Sequence, residues 1–177
     1  MMNFISSDSL FFQPFFFSLY TFFPVNMKTA LAITRTLSRR YYPLHPEEQE
    51  ALASIMECRR VDKGELLLEE GRIARHFHYV ESGMLRQYYY KNGHDITEHF
   101  SCEDDLVFCI ISLFRQEPTR LMIEAIEPTV VYDIPYTGLQ ELFVSYSSIA
   151  QLYKKILEWG LMAVSYTHLR AHETELH

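Results

Sequence analysis

Two histidines placed two positions apart, His76 and His78, are the residues of this sequence most able to bind a metal ion. On a β-strand, residues i and i+2 point to the same face, so both imidazoles can contact one ion. A third ligand is harder to find. Glu81 falls on the opposite face of such a strand, and His94 and His99, five residues apart, fall on opposite faces of another. The spacing indicates a pair of ligands rather than a complete metal site.

The other reactive side chains form no known catalytic pattern. Cys58, Cys102 and Cys109 lack the spacing of a zinc or iron–sulfur site and do not suggest a disulfide framework. We expect them to act as small apolar side chains. The sequence has no Gly-x-Ser-x-Gly nucleophile elbow and no phosphate-binding loop. We therefore predict no catalytic residues, no resident metal or cofactor, and no enzyme activity.

The composition indicates one globular domain with an acidic surface. The chain has 177 residues, is 48% hydrophobic and carries a formal net charge of −7, from 16 Lys+Arg and 23 Asp+Glu. That length fits one domain with short additions. The acidic balance argues against nucleic-acid binding by overall charge, because phosphate contacts need clustered Lys and Arg. No apolar stretch is long and clean enough to predict a membrane-spanning helix, so we expect a cytoplasmic protein with no membrane partner.

The elements that must position these residues are short strands between helices. An amphipathic pattern with acids in its first turn predicts a helix over 46–58. Turn signals then separate predicted strands over 59–64, 65–70, 76–81, 84–91, 94–101, 121–127 and 130–134. Residues 104–114 are apolar and fit either a strand or a helix, and helices are predicted over 136–144 and 148–163. Many short strands between terminal helices predict an α+β protein with a sandwich, jelly-roll or barrel core.

The two ends differ in composition from the middle. Residues 1–26 are rich in Phe and contain a single charged residue, Asp8. We predict a mis-translated upstream extension, or a disordered segment, ahead of a true start at Met27; a membrane anchor or secretion signal is the alternative. Residues 164–177 contain VSYTHLRAHET, which resembles a translated transposase-type sequencing-library adapter. We therefore expect 164–177 to be an artefact and exclude it from the fold.

Several motifs in the middle of the chain follow one another in a fixed order. They are RVDKGELLLEEG (60–71), YVESGMLR (79–86), TEHF (97–100), DDL (104–106) and the final EAIE…VVYDI run. Together, over about residues 46–163, they resemble the cyclic-nucleotide-binding sensor domain of the Crp/Fnr family of bacterial transcription regulators. The resemblance implies an antiparallel β jelly roll, a double-stranded β-helix, with flanking N- and C-terminal helices and an effector pocket.

The resemblance also implies where an effector would bind. In nucleotide-binding members, Gly-Glu-Leu opens a short helix and Arg-Ser-Ala precedes the next strand. The helix N-terminus and the Arg bind the cyclic phosphate, and the Glu binds the ribose. Aligned without gaps from the DDL motif, these positions fall on Phe108, Cys109, Ile110, Thr119, Arg120 and Leu121. The ribose carboxylate is absent, and Arg120 comes one residue late unless a gap restores it. We therefore expect no cAMP binding; the site holds another, unidentified small molecule or is filled by its own side chains.

In the same family the signal passes to a long dimerising helix and then to a helix-turn-helix that binds DNA. The sensor is predicted over 27–145 and the start of the dimerisation helix over 146–163, so DNA binding is expected only of a full-length protein. The candidate homodimer surface is an apolar stripe at helical spacing: Ile149, Leu152, Ile156, Leu157 and Leu161. Packing of this stripe onto its own roll is the alternative. A cupin-like metal-binding jelly roll and a stand-alone small-ligand-binding module are the alternatives to a regulator.

Overall fold

The computed structural model describes the backbone of residues 27–174 and the side chains of residues 29–162. The predicted upstream extension over 1–26 lies outside the described residues. Residues 175–177 and all side chains from 163 onward lie outside them as well. The prediction of an adapter-derived tail falls mainly on that part and stays a prediction.

Five helices and eight strands follow one another within residues 27–174. The helices are α1 (Met27–Arg40), α2 (Pro46–Ser54), α3 (Ile110–Arg115), α4 (Tyr136–Ser145) and α5 (Ser147–Thr174). The strands are β1 (Glu57–Val61), β2 (Leu66–Leu68), β3 (His76–Ser82), β4 (Leu85–Lys91), β5 (His94–Ser101), β6 (Leu106–Val107), β7 (Met122–Ala125) and β8 (Thr129–Pro135). None of these helices combines the length and the apolar character needed to cross a bilayer.

The strands form two four-stranded sheets with antiparallel pairing. Their orders are β1-β8-β3-β6 and β2-β7-β4-β5. The chain passes repeatedly from one sheet to the other, since β1, β3, β6 and β8 belong to the first sheet and β2, β4, β5 and β7 to the second. Short antiparallel strands that alternate between two sheets in this way form a jelly roll. The structure confirms the predicted α+β class and the antiparallel jelly roll with flanking helices.

Two tight turns between strands of the roll are explained by their local sequence. Asn92 and Gly93 both have positive φ, 54° and 81°, and join β4 to β5 in a tight hairpin, as the Asn-Gly pair predicts. Gly83, between β3 and β4, has φ +91°, and a Cβ there would lie 2.5 Å from Thr129 Oγ1 and 2.8 Å from the Pro128 carbonyl oxygen. Only glycine fits this close approach of two backbones.

The helices cover one face of the first sheet. Phe77 of β3 and Ile134 of β8 meet side chains of α1, α2, α4 and α5 around a cavity of about 20 Å³. Val80 and Val131, which are partners across β3 and β8, are fully buried as well. Because both strands are buried along most of their length, this pair forms the centre of the protein. The helices therefore pack on the strands that also line the roll.

Three local differences from the sequence-based expectations have physical causes. The helix predicted over 46–58 ends at Ser54, because Glu57 and Cys58 pair with β8 instead. The ambiguous segment 104–114 divides into β6 and α3. Helix α1 was not expected, although its buried residues have helical spacing: Ala30, Ile33, Thr34 and Leu37.

Candidate functional site

The six residues predicted as the effector site lie on one segment that connects β6, α3 and β7. Cys109 is the N-cap residue of α3, and Thr119 lies in the loop before β7. Both side chains are buried, and Cys109 Sγ lies 3.2 Å from Thr119 Oγ1. The Thr119 hydroxyl oxygen also accepts a hydrogen bond from the Leu121 backbone N–H at 2.9 Å. A contact this short leaves no room for a phosphate group between the two halves of the segment.

The other members of the segment differ in burial. Phe108 is half-buried, and its ring centroid lies 4.7 Å from that of Phe77. The Phe108 Cζ would be 3.8 Å from a Cβ built on Gly160, so the segment meets α5 at this ring. Ile110 is half-buried, whereas Arg120 is exposed to solvent. The structure thus brings Cys109 and Thr119 into contact, whereas the guanidinium of Arg120 is exposed to solvent.

Six aromatic rings pack where the roll meets α3, α4 and α5, and we call them the aromatic cluster. Tyr153 is central to it, with ring centroids of Phe77 and Phe143 each 5.2 Å away. The Tyr153 hydroxyl is buried and has no hydrogen-bond partner within the described residues. Burial, with a smaller effect of Tyr136, raises the pKa of Tyr153, so the phenol stays neutral. The full set is Phe77, Phe108, Phe114, Tyr136, Phe143 and Tyr153.

The stripe predicted as a dimer surface divides into a buried and an exposed part. Ile149, Leu152 and Ile156 are 0%, 2% and 8% exposed, because they pack against the roll and the other helices of the same chain. Leu157 is half-buried and Leu161 is 59% exposed. The first three residues therefore belong to the protomer core, in line with the alternative that this stripe packs onto its own roll. The dimerisation of α5 itself stays a prediction.

A buried polar cluster between β1, β3 and β8 was not predicted from the sequence. His78 and Asp133 are direct partners across β3 and β8, and His78 Nδ1 donates to Asp133 Oδ1 at 2.6 Å. Arg59 of β1 opposes Val131, so it reaches Asp133 along the diagonal, with Nε 3.2 Å from Oδ2. Burial alone would raise the pKa of Asp133, but His78 and Arg59 together lower it. Asp133 is thus held as a buried carboxylate between two basic groups.

A family model for the cyclic nucleotide-binding domain matches residues 58–146, which is half of the chain. This protein belongs to the cyclic nucleotide-binding domain family. A search of curated proteins finds no match. Solved structures share the fold at low sequence identity. A cyclic nucleotide-binding domain from Methylobacillus flagellatus KT is 17% identical with a TM-score of 0.68, over 85% of this chain and 83% of that one.

Two further solved structures share the fold. The catabolite activator protein of Thermus thermophilus is 20% identical with a TM-score of 0.57, over 80% of this chain and 61% of that one. The sensor domain of the transcriptional regulator DNR from Pseudomonas aeruginosa is 19% identical with a TM-score of 0.57, over 85% of this chain and 95% of that one. The chain is therefore similar in extent to a regulator's sensor domain.

The departure from the nucleotide-binding pattern at the aligned positions stays a prediction. The sequence alignment places Phe108, Cys109 and Thr119 where nucleotide-binding members are expected to have Gly, Glu and Arg. It could not identify the 3.2 Å contact between Cys109 and Thr119, which depends on how the loop folds back onto α3.

The predicted histidine pair does not extend into a metal site within the described residues. His76 and His78 lie close, with ring centroids 6.1 Å apart. Glu81, however, is exposed at the end of β3. No group of three or more His, Cys, Asp or Glu side chains is arranged to hold a metal ion in the part of the chain that the structure describes. The geometry gives the cupin-like alternative no support.

Proposed function

We propose that this chain is the effector-sensing domain of a Crp/Fnr-like bacterial transcription regulator and has no enzymatic role. The observation that carries the proposal is the match to the cyclic nucleotide-binding domain over 58–146, followed directly by a long helix, α5. The similarity in extent to the DNR sensor domain supports the same conclusion. The proposal predicts that the complete gene continues into a DNA-binding domain, and it places the protein in the cytoplasm.

The effector of this domain is not a cyclic nucleotide. A cyclic phosphate carries a negative charge, and a buried charge without a partner costs several kcal/mol. Arg120, the only guanidinium within the six aligned positions, is exposed, and Cys109 offers no carboxylate for the ribose hydroxyl. Phe108 adds a bulky ring where a glycine lets the backbone approach the ligand. Both electrostatics and steric fit therefore oppose cyclic nucleotides at this site.

The chemistry of the aromatic cluster favours a neutral, mainly apolar effector. Its rings present apolar surface beside α5, and Tyr153 supplies one neutral hydroxyl that can donate or accept a single hydrogen bond. The adjoining cavity holds only about 20 Å³, so a ligand larger than a water molecule must displace side chains. Since those side chains belong to α5 and to the roll, such displacement would change how α5 packs.

Isothermal titration calorimetry of the purified chain with cAMP, and separately with cGMP, tests the exclusion of cyclic nucleotides. We expect no saturable heat at millimolar ligand. A matched variant, Phe108→Gly with Cys109→Glu and Thr119→Arg, restores the family's pattern and is expected to bind more tightly than the wild type if it folds. Saturable binding of cAMP by the wild-type chain would overturn the exclusion and leave the regulator fold assignment intact.

Homodimerisation through α5 is best tested at its exposed residues. Replacing Leu152 and Ile156 by Asp would disrupt the protomer core, since both side chains are buried within it. Leu161 and Met162 are 59% and 62% exposed, so Leu161→Asp with Met162→Asp leaves that core intact. Analytical ultracentrifugation should give dimers for the wild type and monomers for this double variant. Gln151→Asp, also on the exposed side of α5, is the control; a monomeric wild type would contradict a dimer of this chain.

A further inference from the structure

The last residue of α1, Arg40, joins three elements that are distant in the sequence. Its guanidinium carbon lies 4.9 Å from the ring centroid of Trp159 on α5 and 5.3 Å from that of Tyr41. The Tyr41 and Trp159 rings also contact each other edge to face, with centroids 6.3 Å apart. A guanidinium over an aromatic face is held by the quadrupole of the ring. Arg40 therefore attaches the end of α1 directly to α5.

The same guanidinium is anchored to the roll. Arg40 Nη1 donates a hydrogen bond to the backbone carbonyl oxygen of Asp104 at 2.9 Å. Asp104 is itself fixed, because its N–H donates to the Val80 carbonyl oxygen at 3.0 Å and its carboxylate accepts a hydrogen bond from the Tyr79 hydroxyl. Its backbone has φ +67°, a left-handed conformation that a non-glycine residue adopts only with local support. The anchor is thus a rigid point at the β5–β6 turn.

These contacts lie where the side chains of α5 change from buried to partly exposed. The helix is held up to Ile156 by core side chains that are fully or almost fully buried. Beyond that residue, Trp159 is 47% exposed and contacts Arg40 and Tyr41, and Phe108 approaches the adjacent Gly160. Polar and aromatic contacts thus attach this turn to α1 and to the roll. Such contacts are weak enough to be made or broken without unfolding the domain.

We infer that Arg40 is a positioning residue that fixes α5 against the roll, and that releasing it frees α5 beyond Ile156. We call Arg40, Tyr41, Trp159 and the Asp104 carbonyl the α1–α5 clamp. Its docking role stands on the contacts alone, whereas its part in passing a signal along α5 rests on the proposed function. An effector that moves the aromatic cluster would act on the same helix, at the residue next to Trp159, because Phe108 approaches Gly160. The clamp and the cluster therefore hold neighbouring positions of one helix.

The chain contains a single tryptophan, so Trp159 fluorescence reports the clamp without labelling. In the full 177-residue chain, Arg40→Gln should shift the emission maximum to longer wavelength and make Trp159 more accessible to acrylamide. Amide hydrogen exchange over 157–162 should become roughly tenfold faster, the factor expected on losing one cation–π contact and one hydrogen bond. Arg40→Lys keeps the charge but loses the planar fork, so it should give an intermediate shift. Arg39→Gln is the matched control, since Arg39 is adjacent and exposed and makes no ion pair within the described residues.

Two results would overturn the inference. If Arg40→Gln has the same emission and exchange as Arg39→Gln, the clamp does not hold α5. If exchange instead accelerates equally over α5 and over the roll strands β3 and β8, Arg40 has a general stabilising role and positions nothing in particular. Neither readout depends on an effector or on DNA, so a failure of the clamp is distinguishable from a failure of the proposed regulatory function.

Discussion

Replacing Asp133 by alanine tests the buried polar cluster, and the structure gives the expected size of the effect. Asp133 is 7% exposed and His78 is 5% exposed, so the pair is largely removed from water. Removing Asp133 leaves the buried His78 without its hydrogen-bond partner and Arg59 without its counter-charge, and breaking a buried ion pair in this way costs about 3–5 kcal/mol. Arg59 would be left facing a cavity in Asp133→Ala. We expect the free energy of unfolding to fall by that amount, a large part of the roughly 5–15 kcal/mol typical of a domain.

Urea denaturation followed by far-ultraviolet circular dichroism measures this loss. Asp62→Ala is the matched control, since Asp62 is exposed in the turn after β1 and should change stability by less than about 0.5 kcal/mol.

The pH dependence of stability separates the effect of the Asp133 charge from the effect of packing. The folded-state pKa of Asp133 is lowered from its ordinary value of 3.8, so the carboxylate stabilises the fold above about pH 4. That stability is lost as the pH falls through the lower folded-state pKa.

The difference between wild type and Asp133→Ala should therefore be largest at neutral pH and shrink progressively below about pH 4. A loss under about 1 kcal/mol at neutral pH would show that the pair is not effectively buried. A loss that stays constant down to the lowest accessible pH would assign the effect to packing and refute the electrostatic account of the cluster.

Three further predictions address the turns and buried groups. Gly83→Ala should lower the free energy of unfolding by about 1–3 kcal/mol more than Gly93→Ala in chemical denaturation, because both glycines have positive φ but only Gly83 has backbone atoms in the path of a Cβ; equal losses would refute the steric argument. Ser112→Ala should cost about 1–3 kcal/mol, since the buried Ser112 hydroxyl accepts from the Ala74 N–H at 2.9 Å and donates to the Glu117 carbonyl oxygen; Ser54→Ala, exposed on α2, is its control, and a similar small effect of both would contradict it. In native protein a thiol reagent should modify exposed Cys102 before buried Cys109, as read by mass spectrometry, and prompt labelling of Cys109 would show that the segment between β6 and β7 is open.

Local sequence predicted those parts of the fold that local chemistry decides. The Asn92-Gly93 hairpin follows from the preference of these residues for positive φ, and the strands around it follow from alternation. The end of α2 could not be predicted in this way. Glu57 and Cys58 leave the helix because β8, some 75 residues later in the sequence, offers them a strand partner. Pairing between distant segments overrides the local pattern there.

In the candidate site, too, some features could be predicted from the sequence and others depend on the folded chain. Alignment to the family's motif predicts an effector site at six positions of the segment between β6 and β7, without the carboxylate and the aligned guanidinium. The contact between Cys109 and Thr119, and the pairing of His78 with Asp133, depend on a loop path and on a strand register that only the folded chain sets. The stripe on α5 had the spacing of an interface, but helical spacing alone cannot tell an interface from a core, and Ile149 and Leu152 belong to the core.

The most direct test of the regulator proposal is to read the source DNA across codon 163 with long, adapter-independent reads. We predict that an in-frame segment of several dozen codons follows and encodes a basic helix-turn-helix, placed after α5 as in a Crp/Fnr-like regulator. A gene that instead ends with the codon for His177 would contradict the proposal, and this cyclic nucleotide-binding domain would then stand as an independent ligand-binding module.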